Sequence, residues 1–129
     1  MRFRFLASWG LVVCFLIAGI PLVAHHGGVN YDTSKAVVLK GAVVTKWQWW
    51  NPHVILMVDF KNDKGEVEHW VAETTNPAML NRVGWSKDTL KPGDQVTLWV
   101  NPNKVGAKIT FLQKITLADG KELSTAKAF

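Results

Sequence analysis

Asn76-Pro77-Ala78-Met79-Leu80-Asn81-Arg82-Val83-Gly84 is the stretch that decides the fold, because it reads as a short helix in a region otherwise built of strands. Asn76 can cap it. Pro77 fits the first turn, where its missing N–H is not needed, and Gly84 can end it. On both sides the hydrophobic period is two. Upstream, Val67 to Thr74 reads as a strand, and Asn62-Asp63-Lys64-Gly65 joins it as a hairpin turn to an earlier strand, His53 to Phe60. Val54, Leu56, Val58 and Phe60 share one side of that strand. Asn51-Pro52 separates it from the first strand, Ala36 to Trp47. There the odd positions are mostly apolar, while Lys40 and Lys46 take the other face. Gly41 in mid-strand allows a bend or bulge.

Downstream of the helix, Leu90-Lys91-Pro92-Gly93-Asp94 is a turn. The fourth strand is Gln95 to Val100, with Val96, Leu98 and Val100 inward, and Asn101-Pro102-Asn103 breaks it. Lys108 to Leu117 is the last strand, bulged near Gln113-Lys114. Three strands, a short helix and two strands is the element order of the five-stranded Greek-key OB barrel. The expectation is therefore an all-β, OB-like barrel over residues 36–123, with one short helix between strands 3 and 4. A small sandwich competes, since sequence does not set strand pairing. Residues 124–129 have no visible anchor and read as a flexible tail.

The N-terminus is of another kind. Phe5 to Ala24 carries no charge, and Met1-Arg2-Phe3-Arg4 precedes it. A basic start, an apolar run and a small residue at its end describe an export signal over residues 1–24. The run is also long enough to span a bilayer, but Pro21 breaks it and Ala24 suits cleavage. Either way the domain is expected outside the cytoplasmic membrane, periplasmic or secreted, with no stable membrane insertion once cleavage has occurred. Cutting 24 residues from 129 leaves 105, and the loss of Arg2 and Arg4 lowers the net charge from +5 to +3. About a hundred residues close one modest core. The only cysteine, Cys14, leaves with the signal, so the mature chain can form neither a disulfide nor a thiolate metal site. Residues 25–35, rich in Gly, Asn and Asp, read as an arm leading into the domain.

Cleavage after Ala24 would make His25 the first residue. An N-terminal histidine offers its α-amine and ring Nδ1 to one ion, and its amine, with a pKa near 8, yields its proton to a metal at neutral pH. Imidazole nitrogen suits Cu(II), Zn and Ni, and affinity peaks at Cu(II). His26, or His53 from Asn51-Pro52-His53, could supply a third nitrogen; His69, between Glu68 and Trp70, is less suited. The plain alternative is that His25-His26 is only a polar junction and that His53 begins a strand and bonds the preceding turn.

Six tryptophans in the 105 residues exceed what a small barrel readily encloses. Trp47 and Trp49 share a face, Trp50 takes the other, and Trp70 and Trp99 read as core. Trp49 and Trp50 are thus candidates for binding a small ligand or an envelope protein. Nucleic acid is not an expected partner, since the lysines are interleaved with acids and +3 is a weak field. No phosphate loop, nucleophile elbow or metalloprotease motif is present, so an enzyme is not expected. Asp59 and Glu73 could act as a pair only if the fold joined them. Otherwise Asp59 faces solvent and Glu73 is a structural acceptor.

Taken together, Ala24-His25-His26, Leu39-Lys40-Gly41, Asn51-Pro52-His53, Trp70, Glu73, Asn76-Pro77, Leu80 and Leu90-Lys91-Pro92-Gly93-Asp94 give a chain that resembles a family of small exported bacterial proteins known only as a domain of unknown function. Members often have Ser-Phe after the two histidines, where this chain has Gly27-Gly28. The resemblance implies a secreted, OB-like single domain and no established activity. The functional expectation therefore rests on the residues: a periplasmic protein that buffers or hands on copper through His25, assisted by His26 or His53. The alternative is a metal-free binding module using Trp49 and Trp50.

Overall fold

The computed structural model describes residues 30–126. The expected signal segment, His25, His26 and the last three tail residues lie outside that range. The elements are β1 (Val37–Gln48), β2 (Ile55–Lys61), β3 (Val67–Glu73), α1 (Pro77–Asn81), β4 (Gln95–Asn101), β5 (Ile109–Thr116) and β6 (Glu122–Ser124). β1 pairs with β2 and β4, β2 with β3, and β4 with β5, all antiparallel. A parallel pairing of Val71–Glu73 with Ile109–Phe111 then joins β3 to β5 and closes the barrel. The fold is OB-like, as the element order predicts.

Bulges let so few strands curve shut. Leu39 faces Leu98 and Ala42 faces Val96, so β1 gains one residue at Lys40-Gly41, with Gly41 at φ +72°. Thr45 is a second extra residue on β1, and Gln113 is one on β5, where the sequence suggests a bulge. Each extra residue moves the inward face by one position. The odd-position pattern of β1 therefore holds only to Leu39. Ala42 and Val44 then point inward while Val43 is exposed, and the pattern returns at Trp47 after the second bulge.

Val54, Leu56, Val58, Val96, Leu98, Val100, Leu112 and Ile115 form most of the core, with Leu80 of α1, Trp85, Leu90 and Leu123 packed among them. Asn76 caps α1 by accepting the Met79 N–H at 3.0 Å. The helix is shorter than the sequence suggests, ending in a turn that reaches Gly84. Thr74, Asn101 and Thr110 are buried polar residues, and each is hydrogen-bonded.

Two expectations need correction. Trp99 lies on the outer face of β4, between inward Leu98 and Val100, and the Lys114 ammonium covers its ring at 4.1 Å. Trp85 takes the core position instead, 2% exposed, with its indole N–H donating to the Ser124 carbonyl at 2.8 Å. The chain is also anchored beyond Leu123: Ser124 belongs to β6, and the Thr125 hydroxyl donates to the Leu112 carbonyl at 2.8 Å.

Replacing Gly41 by Ala should cost about 1–2 kcal/mol, the usual penalty for a side chain in the left-handed region. Its Cβ would make only ordinary contact with Gln95, at 3.5 Å, so backbone strain dominates. Urea unfolding of the two proteins checks this, and equal midpoints would show that the bulge tolerates a side chain.

Candidate functional site

The β1–β2 connection leads into β2 at Ile55, whose ladder partner Glu73 is reached by Tyr31 from the strap of residues 30–35. At the connection, Trp47 is drawn inward. Its ring stacks on Trp85 at a centroid distance of 5.8 Å, and its indole N–H donates to the Ser86 carbonyl at 3.3 Å. Trp49 packs against Trp47 at 5.6 Å and is half-buried. Trp50 is 55% exposed. Asn51, cis-Pro52 and His53 follow, all exposed.

His53 has a defined polarity. Its Nδ1 lies 3.0 Å from the Thr74 carbonyl oxygen. A carbonyl only accepts, so Nδ1 carries the proton and Nε2 keeps its lone pair. The carbonyl belongs to a residue held firmly in place. Thr74 is fully buried, its N–H donates to the Val54 carbonyl, and its hydroxyl lies 2.9 Å from that oxygen and 3.0 Å from the Thr75 carbonyl. His53 thus bonds the residue that follows β3, rather than the turn before it.

The ladder register orders the outer face. Asp59 stands opposite His69, Met57 opposite Val71, and Ile55 opposite Glu73, which in turn faces Phe111 of β5. His53 falls one rung beyond Ile55 on the side of Glu73, because side chains alternate with period two. Asp59 and Glu73 sit four residues apart along this ladder, so the fold does not join them as a catalytic pair. Asp59 instead meets His69 Nδ1 at 2.6 Å, in an exposed pair.

Glu73 is an acceptor, and its partner comes from the strap. The Tyr31 hydroxyl donates to Glu73 Oε2 at 2.5 Å, and its ring lies 6.0 Å from that of Phe111. Tyr31 is only 6% exposed. The strap extends β1 alongside the β4–β5 loop. Tyr31 bridges Asn103, the Asp32 N–H donates to the Pro102 carbonyl, and the Lys104 N–H donates to the Asn30 carbonyl. The Lys35 carbonyl accepts from Asn101 Nδ2 at 2.7 Å. Bonds from Ser34 and Lys35 hold the Asp32 carboxyl below its usual pKa. The segment expected to be a plain arm is therefore docked from Asn30 onward. Sequence reasoning passed over Tyr31, although a lone tyrosine in a Gly-, Asn- and Asp-rich stretch was the signal that could have found it.

Among the described residues, no three His, Cys, Asp or Glu side chains converge. His25 and His26 lie outside the described range. No helix among the described residues is long and apolar enough to cross a membrane.

Burial, then the hydrogen bond to Glu73, then its negative charge all push the Tyr31 phenol well above its ordinary value of 10.0. Because the folded pKa is raised, the stability gained by docking is intact below about pH 10. It is lost as the pH climbs toward the folded value, since the unfolded chain ionises first. Tyr31 is the only tyrosine in the sequence, so phenolate absorbance reads this group alone. The native protein should show little phenolate at about pH 10, where a free tyrosine is half ionised, and Glu73→Gln should bring the midpoint down. A native midpoint equal to that of the unfolded chain would mean that the phenol is not docked.

The sequence matches the family of unknown function DUF6152 over residues 12–112, and the chain belongs to that family. No curated protein and no solved structure matches it.

Proposed function

We propose that this member of the family is exported, is cut after Ala24, and binds copper in the periplasm through its new N-terminal histidine. The α-amine and Nδ1 of His25 form the chelate, and His53 Nε2, or His26, supplies a third nitrogen. The protein buffers the ion or hands it on, and performs no chemistry of its own.

The observation that carries this reading is the state of His53. An exposed imidazole whose Nδ1–H is tied to a carbonyl presents Nε2 as a ligand, the second-shell arrangement common to metal-binding histidines. Chain length is compatible with it. The five residues from Asn30 back to His25 span up to about 17 Å when extended, and the strap is pinned at Glu73, the ladder partner of Ile55, which lies two residues along the chain from His53. His69 also leaves Nε2 free, but it stands four residues farther up the ladder from the pin.

Adding Cu(II) to the mature protein, followed by EPR and calorimetry, tests the proposal. His25→Ala should abolish tight binding, and so should an extension before His25, because it removes the amine. His53→Ala should change the nitrogen hyperfine pattern while leaving the chelate. A His25→Ala protein that binds as tightly as its parent would overturn the reading. Native mass spectrometry of the exported protein would check both the cleavage position and the bound metal.

Trp50 supports a second reading, that of a metal-free module holding a small ligand or an envelope protein. It is a large aromatic, 55% exposed, at the tip beside Asn51-Pro52-His53. On that reading Trp50→Ala abolishes capture from envelope extract and chelators change nothing. Capture that disappears with chelator alone favours copper.

A further inference from the structure

We propose that the trough where the turn before β4 meets the turn after β5 binds a single sugar ring, taking amino sugars in preference to neutral ones and neutral ones in preference to acidic ones. The trough shares no residue with His53, Trp49 or Trp50, so it is tested separately from the function proposed above.

Cavities of about 230 and 290 Å³ share Gln95, Val96, Leu117 and Ala118, and so form one trough on the outside of the barrel. It is small for a ligand cleft, with room for a ring rather than a chain. Alternation decides what the strands contribute. Val96 and Leu98 point inward, so Gln95 and Thr97 turn outward, and Thr97 stands opposite Thr116 of β5. The turns add two carboxylates, Asp94 from before β4 and Asp119 from beyond β5. Each is held by one oxygen: Asp94 Oδ2 accepts the Lys91 N–H at 2.8 Å, and Asp119 Oδ1 accepts the Lys121 N–H at 2.9 Å. The second oxygen of each can accept from a ligand. Among the described residues neither carboxylate joins an ion pair, and no lysine or arginine lines the trough.

This set of groups selects a ligand class. A sugar ring carries hydroxyls around its edge and an apolar C–H face. Carboxylate oxygens accept from hydroxyls, and the Gln95 amide and the threonine hydroxyls can both donate and accept. Val96, Leu117 and Ala118 supply an apolar floor for the C–H face. An anion would meet two negative charges and no cation, which disfavours acidic sugars. An ammonium on the ring gains an attraction to Asp94 or Asp119, worth up to about five-fold in affinity at an exposed site.

The test titrates metal-free, isotope-labelled protein with glucosamine, glucose, glucuronate and methylammonium, at constant ionic strength and mildly acidic pH, where the sugar amine is charged. Amide NMR shifts report binding residue by residue. Saturable shifts at Gln95, Thr97, Thr116 and Asp119, with affinity in the order glucosamine, glucose, glucuronate, are the expected result. Asp94→Asn and Asp119→Asn keep an oxygen for their turns and remove the charge, so each should reduce the advantage of glucosamine over glucose, by up to about five-fold. Gln95→Ala combined with Thr97→Val should weaken both sugars, and an unchanged spectrum elsewhere shows that the barrel is still folded. The absence of saturable shifts in the trough with glucosamine and glucose would overturn the proposal. So would a double variant that binds both as tightly as the parent, or methylammonium that reproduces the whole glucosamine effect, since a bare cation site needs no ring. Glucuronate binding as tightly as glucosamine would overturn the stated preference.

Discussion

The parallel contact of Val71–Glu73 with Ile109–Phe111 is the constraint on which the rest of the molecule depends. Five strands enclose a core only if the first half of the sheet meets the second, and these three rungs are where they meet. The Val71 N–H donates to the Lys108 carbonyl, and the buried Thr110 hydroxyl returns a bond to the Val71 carbonyl at 3.1 Å. Reaching that junction requires sharp curvature, which β1 obtains from two bulges and β5 from one. The junction also fixes the outer face, because it sets Phe111 beside Glu73 and so builds the seat that Tyr31 occupies.

How much of this was legible in the sequence follows from what each signal measures. Alternation in β2 and β4 is uninterrupted, so Val54, Leu56, Val58, Val96, Leu98 and Val100 could be assigned to the core without coordinates. In β1 the glycine announced a bulge, yet its effect on the inward face needs the register, and Thr45 gave no warning at all. Trp99 was misread because hydrophobicity alone does not say which face of a strand is covered. Its cover is the Lys114 ammonium, held in turn by Glu122 at 3.0 Å. Strand pairing is a long-range property, so barrel and sandwich stayed open until β3 was seen beside β5.

The site was legible in part for the same reason. His53 and Trp50 stood out as residue types beside a strand break, and both are exposed at that break. The tautomer of His53 depends on a carbonyl 21 residues away, and the partner of Glu73 lies 42 residues upstream. Neither distance has a local signature. Asp59 and Glu73, attractive by type, are kept apart by the simple fact that a strand extends its residues in a line.

The three-residue strand β6 has a consequence for how the protein behaves in company. β3 covers β5 only as far as Phe111, so the second half of β5 would otherwise present open N–H and C=O groups to any passing strand. β6 pairs there with Lys114–Thr116, and its Glu122 bonds Lys114 and Thr116. An edge that is very short and carries charge is a poor template for another chain. On this side of β5 the exposed ladder therefore ends almost as soon as it begins.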